Sequence, residues 1–295
     1  GLVVSDPQVA WNEALCGEVN PAAKRTMYIH IPYCRTRCSF CPFYMGAADE
    51  NEFDSYIDTL IRELEMTADV PGVYQEKINA VYFGGGTPTD MKPDHFSRVL
   101  KLISEKYNLT NDCEITMEGR IKGFTSDKMQ ACVDNGVNRF SLGVQTFNTQ
   151  IRHRIGRSAE REEVIETLNR LISFNQAAVV IDLLYGLPGQ TIDDWVDDQR
   201  TILEDVKISG CDHYALGLHP GLPMSKAIAE GRMTAQPDEA TRFRMYQLGE
   251  DIMRDVGAAR LSLKHYAFDY RERNANNEIS GEKNICLPFG VHAGG

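Results

Sequence analysis

Residues 27–41 read Met-Tyr-Ile-His-Ile-Pro-Tyr-Cys-Arg-Thr-Arg-Cys-Ser-Phe-Cys: a short apolar β-rich run, a proline, then three clustered cysteines. The run Met27–Ile31 reads as a strand, and five more follow at Ala80–Phe83, Cys113–Met117, Arg139–Val144, Val179–Leu184 and Tyr214–Leu218. Amphipathic helical patterns lie between them. In Phe53–Met66, the residues Phe53, Ile57, Leu60, Ile61 and Leu64 share one helical face. His95–Lys106, Ser126–Asn135, Arg161–Phe174 and Thr191–Val206 read alike. The helix near 126 opens on Thr-Ser-Asp, good N-capping chemistry, and Gly136 can serve as its C-cap. Six strands, each followed by a helix, predict an α/β fold with a parallel sheet and right-handed crossovers. Eight such units would close a barrel. Six are counted, so the expectation is an open (β/α)6 partial TIM barrel. Tyr28 and His30 alternate with Ile29 and Ile31, which points the first two into the barrel.

Sheets of this kind carry their active sites at the C-terminal strand ends. The unusual residues fall there: the cysteines after strand one, Gly84-Gly85-Gly86-Thr87-Pro88 after strand two, Glu118 after strand three, Gln145 after strand four and Tyr185-Gly186-Leu187-Pro188 after strand five. Beyond about residue 222 the rhythm changes. A helix over Asp238–Arg254 and a strand over Arg260–Tyr266 precede a polar, loop-like stretch, Arg271–Lys283, which ends in Cys286-Leu-Pro-Phe-Gly. The expected organisation is an N-terminal extension over 1–26, a core over 27–222, and the incomplete start of a C-terminal accessory domain over 223–295.

Composition narrows the function. The 295 residues are 42% apolar and 25% charged, a globular balance, with a formal net charge of -11 and no basic block. That argues against nucleic acid and anionic membranes as partners. No apolar run is long enough to span a membrane, and the N-terminus lacks a signal-peptide pattern. A reduced, cytoplasmic protein is the expectation for its eight cysteines. Cys16, Cys113, Cys132, Cys211 and Cys286 are scattered singly and read as core residues.

Cys34, Cys38 and Cys41 have the spacing C-x3-C-x2-C. Three thiolates on one loop can hold three irons of a [4Fe-4S] cluster and leave the fourth open. A structural zinc site competes, but it asks for four ligands, usually in two pairs, and no second pair is present. Arg35 and Arg37 are expected to favour the thiolates.

An open iron, with the aromatic Phe40 just before the last cysteine, resembles the radical SAM superfamily over roughly residues 27–220. The superfamily's glycine-rich motif stands as Gly84-Gly85-Gly86-Thr87-Pro88-Thr89. Together with Ile181-Asp182-Leu-Leu-Tyr-Gly186-Leu-Pro-Gly-Gln-Thr, it resembles the oxygen-independent coproporphyrinogen oxidase-like group, which binds two molecules of S-adenosyl-L-methionine (SAM). The resemblance implies that Phe40, Gly86, Thr87, Gln145, Arg157 and Asp182 contact the cluster-bound SAM and that Leu216 lies near its adenine. It implies that Tyr28, Gly85 and Glu118 contact the second SAM. The chemistry agrees: Asp182 can accept from ribose hydroxyls and Arg157 can pair with a carboxylate.

Three functions remain open within the group: coproporphyrinogen III dehydrogenation, heme chaperoning without catalysis, and anaerobic heme opening by a class C methyltransferase of the ChuW/HutW type. Several stretches resemble the last: Pro42-Phe43-Tyr44-Met45, His265-Tyr266, Arg271-Glu-Arg-Asn274 and Cys286-Leu-Pro-Phe-Gly-Val-His-Ala-Gly-Gly. His292 departs from it by standing where a glycine is expected. This resemblance implies a 5′-deoxyadenosyl radical that takes hydrogen from the methyl group of the second SAM. The carbon radical then adds to heme, the ring opens and iron leaves. It assigns catalysis to Cys34, Cys38, Cys41, Tyr28 and Glu118, with an external flavodoxin-like or ferredoxin-like electron donor. His30, His219, His265 and His292 are the candidate heme ligands.

Overall fold

Arg25–Ile31 forms the first strand, β1, in a computed structural model that describes residues 6, 9, 23–280 and 284–294. Cys16 and most of the 1–26 segment lie outside the described residues. The chain continues through α1 (Glu50–Ala68), α2 (Pro71–Tyr74), β2 (Ile78–Gly85), α3 (Pro93–Lys106), β3 (Leu109–Gly119), α4 (Ser126–Asp134) and β4 (Arg139–Gln145). Then come α5 (Thr149–Arg154), α6 (Arg161–Ser173), β5 (Ala178–Tyr185), α7 (Ile192–Glu204), β6 (Gly210–Ala215), α8 (Pro223–Ala229) and α9 (Glu239–Asp255). The described chain closes with β7 (Ala259–Arg260), β8 (His265–Ala267), α10 (Ala275–Ser280) and β9 (Ile285–Phe289).

Strands β1 to β6 lie side by side in sequence order and pair in parallel, which makes the expected open sheet of six β/α units. The period-2 alternation explains its two faces. Met27, Ile29 and Ile31, Val81 and Phe83, Phe140 and Leu142, and Ile181 and Leu183 are buried in one apolar core. Helices cover that core, with α1 against α3, α3 against α4 and α4 against α6. The alternate positions carry polar groups: Tyr28 and His30, Tyr82, Glu114 and Glu118, Arg139 and Ser141, Asp182, Asp212. These line the concave side.

The last third adds to the same sheet. β9 pairs in parallel with the outer edge of β1, and β8 pairs antiparallel with β6, with β7 outside it. The stretch read as loop-like therefore contains α10 and leads into a strand. Pro288 is tolerated in β9 because that strand is an edge. The strand expected at Arg260–Tyr266 is instead two short strands, β7 and β8, joined by a turn. Strand six is also displaced: it runs Gly210–Ala215 rather than Tyr214–Leu218. Gly210, Cys211 and Asp212 are held between β5 and β8, a pairing that outweighs the apolar signal of the later residues. At α4, Thr125 takes the N-cap position but gives its hydroxyl to Asp127 rather than capping the helix amides. Among the described residues no helix is long and apolar enough to cross a membrane.

Candidate functional site

The cysteine loop hangs from the end of β1 and is pinned on three sides. Cys34 N–H donates to Gly46 O at 3.1 Å, Ser39 N–H to Ile155 O at 3.1 Å, and Met224 N–H to Ser39 O at 3.0 Å. From beneath, Gly86 N–H donates to Ile31 O at 2.7 Å and Thr87 N–H to Tyr33 O at 2.8 Å. Gly86 is required by this approach, since a Cβ there would sit 2.5 Å from Tyr33 O.

Cys34, Cys38 and Cys41 border one cavity of about 410 Å³ at the C-terminal ends of the strands. The same cavity is lined by Gly85, Gly86, Thr87, Glu118, Gln145, Arg157 and Asp182, so most of the residues expected at the site do converge. Leu216 and Phe40 are not among its lining residues. Leu216 is buried just past β6, with its N–H on Tyr185 O at 3.0 Å, in a small apolar cluster against which Phe40 packs. Arg157 stands 6.0 Å over the Phe40 ring, and its buried Nε has no partner. Gln145 sits at φ +74 beyond a register shift between Gly143 and Gln145. A bulge with a left-handed non-glycine residue is a costly way to end a strand, and it re-aims this amide.

The sulfur environment differs from the expected one. Arg35 is exposed and faces Asp90 at 3.8 Å, and Arg37 stacks 5.2 Å over Tyr44. The cations that act on the sulfurs are Arg120 and Arg157 instead. Arg120 donates to Cys38 Sγ at 3.6 Å and to Thr36 Oγ1 at 3.0 Å. Thr87 Oγ1 donates to Cys34 Sγ at 3.2 Å. Burial pushes the Cys34 and Cys41 thiols up; Thr87 and Arg120 oppose this at Cys34, and backbone amides and Arg157 oppose it at Cys41. Donors and guanidiniums aimed at sulfur are what bound thiolates need, so the loop fits an anionic cluster. Among the described residues no three His, Cys, Asp or Glu side chains converge as ligands of one ion. The described cysteines are all free, and Cys113, Cys132 and Cys211 are buried in the core.

A second cavity of about 400 Å³ adjoins the first and shares Phe43, Gly85 and Glu118 with it; Tyr28, His30, Pro42, Met45 and His292 complete the wall. Tyr82 donates to Glu118 Oε1 at 2.5 Å. Burial raises the Glu118 carboxyl, against the Tyr82 hydroxyl and the Gly85 amide. Burial and Glu118 push Tyr28 up to about 12, and its hydroxyl lies 3.1 Å from His30 Nδ1. His292 adopts φ +64, which explains why a glycine is expected at this position.

Of the four histidines read as heme ligands, His265 is ruled out. Its Nδ1 lies 2.8 Å from Asp212 and its Nε2 3.1 Å from Glu272, so neither nitrogen is open to iron. His219 is exposed on the loop after β6 and does not border either cavity. The reading from sequence also missed Arg120, Ser141, Tyr214 and Lys264, which all line the first cavity. Arg120, two residues beyond Glu118, and Ser141, at period 2 from Gly143, were open to a positional argument. Lys264 carries no local signal.

Residues 28–202 match the Radical SAM superfamily. The chain is 41% identical to the anaerobilin synthase of Escherichia coli O157:H7, across 100% of this chain and 66% of that protein. It is 29% identical to the heme chaperone HemW of Buchnera aphidicola subsp. Schizaphis graminum, across 82% of this chain and 62% of the relative. The chain thus spans less than two thirds of the length of these curated relatives. Among solved structures, coproporphyrinogen III oxidase (HemN) from Escherichia coli superposes with a TM-score of 0.82 at 24% identity, covering 97% of this chain and 67% of that one. That is a likeness of fold.

Proposed function

The chain belongs to the radical SAM superfamily, and from that premise we propose that the whole protein opens heme anaerobically to a methylated linear tetrapyrrole and releases iron. One observation carries the reading: the cavity of the three cysteines adjoins a second cavity through the shared residues Gly85, Glu118 and Phe43. Two adjoining chambers suit two molecules of SAM. The full-length similarity to an anaerobilin synthase supports the choice of reaction.

In this reading Cys34, Cys38 and Cys41 hold a [4Fe-4S] cluster, which when bound supplies the electron that cleaves SAM to a 5′-deoxyadenosyl radical. Gly86, Thr87, Gln145, Arg157 and Asp182 hold the cluster-side SAM, with Phe40 and Leu216 on its apolar side. The unpartnered Arg157 Nε is a donor ready for a carboxylate. Tyr28, Gly85 and Glu118 orient the second SAM from the other chamber. Tyr82 fixes the Glu118 carboxyl so that it meets the ligand in one geometry. Residues 27–222 supply the cysteines and the SAM contacts of this reading, and the accessory region 223–295 adds Lys264 and His292 to the two cavity walls. A one-electron donor of the flavodoxin or ferredoxin kind, a heme or related tetrapyrrole, and a reducing, cytoplasmic setting complete the proposal.

The test is anaerobic incubation of the cluster-loaded protein with reductant, heme and SAM bearing a deuterated methyl group. Deuterium in 5′-deoxyadenosine together with a methylated linear tetrapyrrole is expected. In Glu118→Gln, SAM cleavage should persist while methylated product is lost. A divinyl porphyrinogen made from coproporphyrinogen, or heme passed on unchanged with no label in either product, would sink the reading.

A further inference from the structure

Beneath the cavity floor lies a chain of buried charges. Arg139 Nε, on β4, donates to both oxygens of Glu272 at 3.1 and 2.9 Å. Glu272 Oε1 lies 3.1 Å from His265 Nε2, and His265 Nδ1 lies 2.8 Å from Asp212 Oδ2. Arg139, Glu272 and His265 are each less than 5% exposed. Asp212 is the register neighbour of Asp182 across the β5–β6 pair, and Asp182 borders the cavity. The supporting residues come from the stretch after 222: His265 from β8, and Glu272 from the loop before α10, which Glu114 fixes by accepting from Ala275 N–H at 3.1 Å. Two neighbouring carboxylates in a buried setting repel each other unless positive charge is brought to one of them. The fold brings it from below.

We propose that the Arg139–Glu272–His265–Asp212 chain is a positioning device for Asp182: His265, held as an imidazolium between two carboxylates, offsets part of the charge on Asp212 and so favours Asp182 as the anion that faces the ligand. This rests on the reading of Asp182 as a SAM contact. Asp182 also feels Glu118 from β3, Tyr82 from β2, Arg139 from β4, Tyr214 from β6 and Arg157 from the loop after α5, with Cys211 of β6 on the opposite, apolar face of the sheet. Burial, then Asp212 and Glu118, push its carboxyl up to about 7, with Arg139 and Arg157 opposing. The ionisation of Asp182 is therefore sensitive to a change of charge at Asp212. Removing the imidazolium unmasks Asp212 and moves the Asp182 titration to higher pH. Since an accepting carboxylate is lost by protonation, SAM affinity in that variant must fall away at a higher pH than in the parent.

The experiment is calorimetric SAM titration of the cluster-loaded protein from pH 5.5 to 9, alongside the 13C resonance of the Asp182 carboxyl. His265→Gln keeps a hydrogen-bonding side chain without the charge. It should raise the midpoint of both curves by about one pH unit and weaken SAM about fivefold at pH 7, where a half-ionised carboxyl becomes about one-tenth ionised. The double variant His265→Gln/Asp212→Asn removes both charges and should bring the midpoint back. Asp212→Asn alone should lower the midpoint, which keeps the test decisive where His265→Gln does not fold. Unmoved midpoints in folded variants, or no recovery in the double variant, would overturn the proposal. Asp182→Asn separates the two readings: unchanged SAM affinity there removes Asp182 from the site, whereas weakened affinity with an unmoved His265→Gln midpoint removes only the relay.

Discussion

Gly85→Ala measures how tightly the triple-glycine turn is tied to the second cavity. Gly85 sits at φ +105, where a side chain costs roughly 1–2 kcal/mol. A Cβ there would stand 2.6 Å from the His30 ring, so the imidazole has to turn away. Turning breaks the 3.1 Å contact between His30 Nδ1 and the Tyr28 hydroxyl, worth about 1 kcal/mol. The expected loss is about 2–3 kcal/mol. Gly123→Ala is the control: its φ is +82, but nothing lies within 4 Å of the added carbon, so it should cost only the backbone term, about 1–2 kcal/mol. Urea unfolding of both variants, read as midpoint shifts at unchanged slope, gives the difference. Equal losses would mean that the His30 ring yields freely, and the described coupling between the glycine turn and the Tyr28–His30 wall would be wrong. SAM titration of Gly85→Ala should also show weakened binding, since Gly85 borders both cavities.

Two further outcomes are expected. Cys38→Ala should abolish retention of iron after anaerobic reconstitution, whereas Cys132→Ala, a fully buried core position, should bind iron as the parent does; full iron content in Cys38→Ala refutes the ligand assignment. Stability should depend on pH through His265: burial alone would lower its pKa, but hydrogen bonds and charge from Asp212 and Glu272 prevail and raise it to about 9. A folded-state pKa above the unfolded one stabilises fully below about pH 6.5 and is lost as pH rises through about 9, so denaturant midpoints should fall over that window by the equivalent of roughly 3 kcal/mol. His265→Gln should flatten that part of the curve, and a parent whose stability is level from pH 6.5 to 9 would contradict the charged imidazole.

The sequence alone determined what depends on local period and spacing. Alternation in Met27–Ile31 and its five counterparts, with helical patterns between, dictated a parallel sheet of six units, and the structure carries it. The C-x3-C-x2-C loop, the triple glycine, Glu118, Gln145 and Asp182 were legible because strand ends gather on one edge whatever the details of packing. Pairing across long sequence distance was not legible. The residues of β9, with their proline, carry no assigned element until they lie beside β1, 260 residues away at the register of Arg25 and Ile285. Strand six could be placed only by β8, which holds its other edge. Nor does any local pattern show that Arg120, rather than Arg35 or Arg37, reaches a cysteine sulfur, or that His265 is sealed between two carboxylates. Charge acts through space over a few ångströms and independently of chain order, so which ions meet was decided only when the strands were laid side by side.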